Sequence, residues 1–282
     1  DTPEAVFDAE RKESLPDEGS GVPALLADFP RSAKAGIALH GVFEHADFAD
    51  SEALSGVASA QLQQTGFDAK LWTAPVVDCV TEVLDTELTT PLSAFRLRDI
   101  PVDRRLDELA FALPVCGGLD AGDERVGASD LARAFRDHPG GTVPDEYADR
   151  LATIPFPAFR GFLSGVMDLV TEHDGRWYLV DYKSNHLGAL RADYGVDRLR
   201  AAMVESHYVL QYHLYLVALD RWLALRVPGY SWDTHMGGVF YVFLRGMSRE
   251  KGSHTGVYFD LPPRERIEAM SQAIYGESGV VV

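Results

Sequence analysis

The chain has 282 residues, 46% of them hydrophobic and 10% aromatic, so it can bury the core of one large domain or two small ones. The 43 acidic and 26 basic residues give a net charge of -17, which disfavours binding of nucleic acid through a basic surface, although a net charge does not describe a single groove. The sequence has no apolar run of about 18 residues and no signal-peptide pattern at its start, which disfavours a membrane protein and predicts a cytoplasmic one.

The first segment, residues 1–28, is acidic, poor in aromatic residues and without sustained periodicity, which predicts a linker or flexible arm. We expect one domain over residues 29–282. The chain starts with Asp1, which suggests a piece of a longer polypeptide or a processed product. Cys79 and Cys116 lie far apart and form no CxxC motif, so we expect two packed thiols and neither a disulfide nor a zinc site.

Helical patterns follow this segment. The run GIALHGVFEHADF starts at Gly36 and places apolar residues at helical spacing, with His40 and Glu44 one turn apart on one side of the helix. Residues 51–66 and 70–88 continue in the same style. The sequence therefore predicts a helical N-terminal part.

The middle of the chain contains a strand and an insertion. LDELAFALP, residues 106–114, is short and ends at a proline, which predicts a strand. A variable insertion of about 116–159 is rich in Gly, Asp and Pro, which indicates a long surface excursion. We expect one short helix near 128–138 and little core in this insertion.

Strand and helix patterns alternate in the remaining half. Two apolar segments joined by HDGR precede a helical segment over about 195–226, which can break near Glu205. GGVFYVFLRG, residues 237–246, predicts a buried strand, and PPRERIEAMSQAIYG predicts a final helix with proline at its start. This order of elements indicates a mixed α/β fold rather than a helix bundle.

The two apolar segments around HDGR predict a β-hairpin. The Asp-Gly dipeptide at 174–175 is favoured in two-residue type I′ turns, because both central positions need a positive φ. With this turn, His173 pairs with Arg176. The turn therefore sets the register of the whole hairpin.

Continued along the strands, this register places Asp168 opposite Asp181, with Lys183 two residues further on the same face as Asp181. Opposed like charges destabilise a sheet unless one acid is protonated or a cation binds. We favour a divalent cation, since oxygen ligands from adjacent strands suit Mg²⁺, Mn²⁺ or Ca²⁺. The alternative is a surface hairpin in which Asp181 and Lys183 pair only with each other.

Five sequence segments, in their order along the chain, resemble motifs of the PD-(D/E)XK nuclease superfamily and, within it, of the RecB-type nuclease domain of exodeoxyribonuclease V. They are FPRSAKAGIALHGVFEHADF, RGFLSGVMDLV, LVDYKSNHLG, LQYHLYLVAL and GGVFYVFLRG. The likeness covers about 29–48, 106–114 and 160–262. It implies a small mixed central β-sheet flanked by helices, joined to the helical N-terminal part.

The same resemblance implies roles for the hairpin residues. His40, Asp168 and Asp181 match the family's metal ligands, with His40 in a GxxxH signature, and the backbone carbonyl of Tyr182 matches a further ligand. Lys183 matches the catalytic lysine.

Supporting residues are implied around that set. Gln211 and Tyr215 match the family's QxxxY element, and their i, i+4 spacing puts them on one helix face that can reach the site or the DNA backbone. Glu108 falls where many relatives place an acidic residue near the metal. Arg245, at the end of a predicted strand, is placed either for a phosphate contact or for bracing a loop.

The resemblance implies a Mg²⁺-dependent nuclease domain that hydrolyses DNA, with single-stranded ends as expected substrates, within a RecBCD-type helicase-nuclease of double-strand break repair and recombination. Mn²⁺ or Ca²⁺ could occupy the same site. The implied partners are DNA, the helicase and other subunits, with a recombinase as a further candidate. No GxxxxGK[ST] motif occurs, so we expect no ATPase motor in this chain. The rival interpretation is a catalytically silent module of the same fold that docks partner subunits or a recombinase.

Overall fold

The computed structural model describes residues 21–115, 125–155, 158 and 161–276. This part of the chain contains nine α-helices and seven strands. The helices are α1 (Ala33–His45), α2 (Leu54–Gln64), α3 (Ala69–Asp85), α4 (Ala128–Asp137), α5 (Tyr147–Ala152), α6 (Val196–Glu205), α7 (Tyr208–Arg226), α8 (Trp232–His235) and α9 (Arg264–Tyr275). The strands are β1 (Glu87–Thr89), β2 (Ala94–Arg96), β3 (Arg105–Val115), β4 (Gly161–His173), β5 (Arg176–Lys183), β6 (Met236–Phe243) and β7 (Val257–Asp260).

A five-stranded sheet in the order β3-β4-β5-β6-β7 forms the centre of the molecule. Strands β5 and β6 are parallel, and the other neighbouring pairs are antiparallel. The connection from β5 to β6 contains α6 and α7, as a parallel pair requires a long crossover. The predicted mixed sheet flanked by helices is confirmed.

Helices cover both faces of this sheet. On one face, α1, α2 and α3 enclose a core that includes Val180, Tyr182 and Phe240. On the other face, α4, α5, α7 and α9 enclose a second core that includes Leu179 and Val239. Because both faces of the sheet are covered, every residue of β6 is buried. A strand in this position needs apolar side chains throughout.

The N-terminal helices and the break before α7 agree with the sequence patterns. The predicted break near Glu205 is confirmed: α6 ends there, and His207 has a φ of 56° before α7 begins. Cys79 is a free, buried thiol, and burial raises its pKa to about 12, as expected for a packed cysteine. Cys116 lies outside the described residues. Among the described residues, no helix has the length and apolarity needed to cross a membrane.

The insertion contributes more core than its composition indicates. Helix α4 was predicted, but α5 was not, and the expectation of little core is wrong. Leu131, Phe135, Tyr147 and Leu151 are all buried in the core beside α7 and α9. A short helix buries its apolar stripe even when most of its residues are polar, so an average over the segment hides the stripe.

The predicted linker over 1–28 is wrong for its last residues. Residues 1–20 lie outside the described part of the chain, whereas Ala24 and Leu26 are buried. Pro23 forms an isolated β-bridge with Leu190. The end of this segment is therefore packed on the domain.

Arg245 braces that packed segment. Its side chain is 1% exposed and donates hydrogen bonds to the backbone carbonyls of Leu26, Phe29, Pro30 and Ser184. This burial and these hydrogen bonds favour the interpretation of Arg245 as a loop brace.

We expect Arg245→Ala to lower the free energy of unfolding by about 3 kcal/mol or more, because several buried carbonyls lose a charged donor. The matched control is Arg104→Ala, whose side chain is 56% exposed in a surface pair with Glu172 and should cost less than about 1 kcal/mol. Urea denaturation followed by circular dichroism measures both. Equal losses in the two variants would contradict the bracing role.

Candidate metal centre

The hairpin between β4 and β5 has the predicted turn. Asp174 and Gly175 have φ values of 51° and 78°, as a type I′ turn requires, and His173 pairs with Arg176. The register continues without a shift to the pair Leu169 and Val180. The sequence-derived register is therefore confirmed over this length.

The ladder ends one pair before the two aspartates. The backbone pair predicted between Asp168 and Asp181 does not form, because the Asp168 side chain occupies the position of a ladder acceptor: its Oδ2 accepts a hydrogen bond of 2.7 Å from the Tyr182 backbone N–H. The strands separate where the carboxylates begin. Asp168 and Asp181 still interact electrostatically, without being a regular cross-strand pair.

Glu108 lies on the other side of Asp168. In the β3–β4 ladder, Asp107 pairs with Leu169 and Leu109 pairs with Met167, so Glu108 stands opposite Asp168. Glu108 has a φ of 51°, a left-handed conformation that costs a non-glycine residue about 1–2 kcal/mol. The backbone is therefore strained at the position that turns this carboxylate toward its neighbours.

Helix α1 brings an imidazole to the same point. The Ser32 hydroxyl caps the helix by accepting a hydrogen bond from the Ala35 N–H. Phe43 stacks on the Tyr182 ring with centroids 4.1 Å apart, which fixes α1 over β5. His40, one turn earlier, places its Nδ1 3.3 Å from Asp168 Oδ1.

His40, Glu108 and Asp168 form a cluster that could hold a metal ion. Each offers one ligand atom, and these atoms lie within 4.8 Å of one another. One imidazole nitrogen and two carboxylate oxygens suit a divalent cation. The cluster found among the described residues contains Glu108, which the family resemblance placed near the metal. It does not contain Asp181.

Asp181 pairs with Lys183 instead. Lys183 Nζ lies 2.7 Å from Asp181 Oδ1, and the two side chains are 7% and 3% exposed. This burial rules out the alternative of a surface hairpin with a solvated pair. Lys183 Nζ also lies 4.3 Å from the centroid of the Tyr208 ring and 5.3 Å from that of Tyr241, close enough for cation–π attraction.

The charges of this site shift one another's pKa values. Burial lowers the pKa of His40, but the neighbouring Asp168 carboxylate outweighs burial and raises it to about 9. Burial opposes ionisation of Asp168, and His40 outweighs it, so the pKa of Asp168 falls below its ordinary value. Burial and Asp168 raise the pKa of Asp181 to about 7 although Lys183 lowers it, while Asp181 raises the pKa of Lys183. Near neutral pH, His40 and Lys183 are therefore cations.

Gln211 and Tyr215 support the site from behind. They share one face of α7, where Gln211 Nε2 donates to the Tyr215 hydroxyl at 3.2 Å. The Tyr241 hydroxyl donates to Gln211 Oε1 at 2.8 Å, and Tyr241 is the β6 neighbour of Asp181. Gln211 and Tyr215 are 7% and 6% exposed, so their contacts reach the site through Tyr241.

Sequence reasoning missed the two tyrosines beside Lys183. Tyr208 lies three residues before Gln211, and this helical spacing was the available signal. Tyr241 becomes a neighbour of Asp181 only through the parallel register of β5 and β6, which the sequence does not display. The Tyr182 backbone carbonyl remains a predicted ligand, while its N–H positions Asp168.

Comparisons with known proteins found similar sequences over most of this chain. The family model for the PD-(D/E)XK nuclease superfamily matches residues 7–277. RecBCD enzyme subunit RecB of Mycobacterium tuberculosis (strain ATCC 25618 / H37Rv) is 36% identical over 280 residues, which cover 93% of this chain and 25% of that protein. RecBCD enzyme subunit RecB of Escherichia coli (strain K12) is 34% identical over 248 residues, which cover 88% of this chain and 20% of that protein. The chain thus spans a quarter or less of the length of these relatives.

We expect divalent metal binding to release about one proton per ion near pH 7.5, because His40, with a pKa of about 9, must lose its proton to become a ligand. Affinity should therefore rise as the pH rises from 7 towards 9. Titration calorimetry with MnCl₂ in two buffers of different ionisation enthalpy measures the proton count.

His40→Asn should reduce this proton release. The matched control is His45→Asn on the same helix, where the imidazole is 54% exposed and outside the cluster. Unchanged proton release in His40→Asn would exclude His40 as a ligand.

The strain at Glu108 predicts a reversal of the usual residue preference. With chelator present, Glu108→Gly should be more stable than Glu108→Ala by about 1 kcal/mol, because glycine adopts a positive φ without steric cost. At the ordinary strand position Ala110, glycine should instead be less stable than alanine. Thermal denaturation compares the two positions, and the same order at both would argue against strain.

Proposed function

This chain belongs to the PD-(D/E)XK nuclease superfamily, and we propose that it hydrolyses phosphodiester bonds of DNA as the nuclease part of a RecBCD-type helicase-nuclease in double-strand break repair and recombination. The observation that carries the proposal is the convergence of His40, Glu108 and Asp168 next to a buried Asp181–Lys183 pair. Metal-ligand geometry beside a buried ammonium suits phosphoryl chemistry better than a purely structural role.

The proposed cofactor is Mg²⁺, with Mn²⁺ or Ca²⁺ able to occupy the same ligands. His40, Glu108 and Asp168 would hold the ion, with the Asp181 carboxylate and the Tyr182 carbonyl as further candidate ligands. When bound, it would supply Lewis acidity at the scissile phosphate. The Tyr182 N–H fixes the orientation of the Asp168 carboxylate through its 2.7 Å hydrogen bond.

Lys183 has the role of a fixed cation in this proposal. Its raised pKa keeps the ammonium protonated at neutral pH, so it acts as a charge and hydrogen-bond donor rather than as a base. The Asp181 carboxylate and the two tyrosine rings hold it in place before substrate arrives. The ammonium can then orient the attacking water or stabilise the negative charge that develops on the phosphate.

The substrate and partners rest on the relatives. The matched proteins are RecB subunits of RecBCD enzymes, and we infer single-stranded DNA ends as substrate, a helicase and other subunits as partners, and a cytoplasmic location. A recombinase is a further candidate partner. The chain contains no GxxxxGK[ST] motif, so ATP hydrolysis is not part of this proposal.

We expect Lys183→Met and Asp181→Asn to lower the rate of single-stranded DNA cleavage at least about 100-fold, because the first removes the cation proposed to act on the phosphate and the second removes the carboxylate that holds this cation in place. Chelation of divalent ions should abolish cleavage. The matched control is Lys70→Met, an exposed lysine on α3, which should cleave like the parent chain. A labelled oligonucleotide with Mg²⁺ provides the assay.

Two results would contradict the proposal. Cleavage by the parent and by both site variants at equal rates would place the active site elsewhere. Metal binding by the parent without any cleavage, even when partner subunits are added, would favour the catalytically silent docking module.

A further inference from the structure

A two-stranded ribbon leads away from the metal cluster. Strand β5 pairs with β4 only over Leu169–His173, whereas β3 pairs with β4 as far as the pair Val115 and Gly161. Residues 109–115 and 161–167 therefore form a ribbon beside which the described part of the chain places no third strand next to β4. From Asp168 to Phe162, six residues along β4, the ribbon is about 20 Å long.

The two faces of this ribbon differ. Leu113, Leu163 and Met167 turn inward and join the core that contains α7. The outer face, as we call it below, carries Ala110, Ala112, Phe162 and Ser164, which are exposed, and Pro114 and Val166, which are half-buried.

The outer face begins at the metal cluster. Leu106, Leu109 and Leu113 all pack against the same core. In β3, the side chains that face this core therefore have even numbers before Glu108 and odd numbers after it, and the change occurs where φ is positive. In β4, the alternation of inward-facing side chains is likewise interrupted at Asp168, which lies opposite Glu108. Leu169 belongs to the core under α1, which places the outer face on the side from which His40 approaches.

The outer face is neutral in a strongly acidic protein. Residues 109–115 and 161–167 include no acidic or basic residue, although the chain has a net charge of -17. These fourteen residues add no charge that repels a polyanion and no cationic side chain for its phosphates. The side chain with binding potential is Phe162, which is 60% exposed, with only small residues on the neighbouring outer positions of β3 and β4.

We propose that the outer face guides single-stranded DNA to the metal cluster, with a base stacked on Phe162. Aromatic side chains bind the π-faces of unpaired bases whatever their identity, and those faces are inaccessible in a duplex. The distance from Phe162 to Asp168 spans a few nucleotides of extended strand. This inference rests on the proposed nuclease function and specifies how the site selects its substrate.

Binding of a fluorescein-labelled oligothymidylate to the 282-residue chain tests the proposal, with chelator present so that cleavage is absent. Phe162→Ala should weaken binding about 10-fold or more, since loss of one base–aromatic stack has this effect. Phe162→Trp should retain binding. Because no phosphate contact is lost, the salt dependence of binding should stay the same in Phe162→Ala.

The matched control is Leu92→Ala, an apolar side chain that is also 60% exposed but far along the chain from the ribbon. It should bind like the parent. Thermal denaturation of each variant checks that Phe162→Ala is folded.

Equal affinity in the parent and in Phe162→Ala, or no binding by the parent, would overturn the proposal. A change of oligomeric state in Phe162→Ala, with unchanged DNA affinity, would show that the outer face pairs protein copies instead. Binding without later cleavage in Mg²⁺ would contradict the nuclease function but leave this DNA path intact. Cleavage by the parent, together with unaltered DNA affinity in Phe162→Ala, would support the nuclease function but contradict this DNA path.

Discussion

A lysine ammonium and an aspartate carboxylate buried at the end of β5 impose requirements on everything around them. Taking two charges out of water costs several kcal/mol for each ion unless geometry and neighbours compensate. Here the compensation is a contact of 2.7 Å between Lys183 and Asp181, together with the rings of Tyr208 and Tyr241. The ring positions require both the α7 crossover and the parallel placement of β6, so the sheet order and the charged pair depend on each other.

The metal cluster occurs where regular β-structure is interrupted. Asp168 uses its side chain to accept a backbone hydrogen bond at the point where its strand separates from β5, and Glu108 has a left-handed backbone opposite it. A regular ladder would direct these side chains to fixed alternating faces. The interruption lets carboxylates from two strands meet an imidazole from α1, and the cost is local strain.

Much of this architecture could be predicted, because it depends on local chemistry. The Asp-Gly turn requires positive φ at two adjacent residues, and this requirement fixed the hairpin register as far as Leu169. The position of Asp181 relative to Asp168 was harder to predict, because the register ends at Leu169 and Val180, where the two strands diverge. The core of the insertion and the packing of Leu26 were missed for a related reason: both depend on contacts with residues more than sixty positions away.

The brace at Arg245 also makes the domain a mechanical unit. It joins the carbonyls of Leu26 and Phe29 to that of Ser184, the residue that directly follows Lys183. Tension applied to the chain at Gly21 would first load the backbone hydrogen bonds that tie residues 22–25 to Ala189, Arg191 and Arg245, and then the guanidinium that ends at Ser184. A load on this segment is thus transmitted to the end of the strand that holds the ammonium, where a displacement would shift Lys183 relative to the metal cluster.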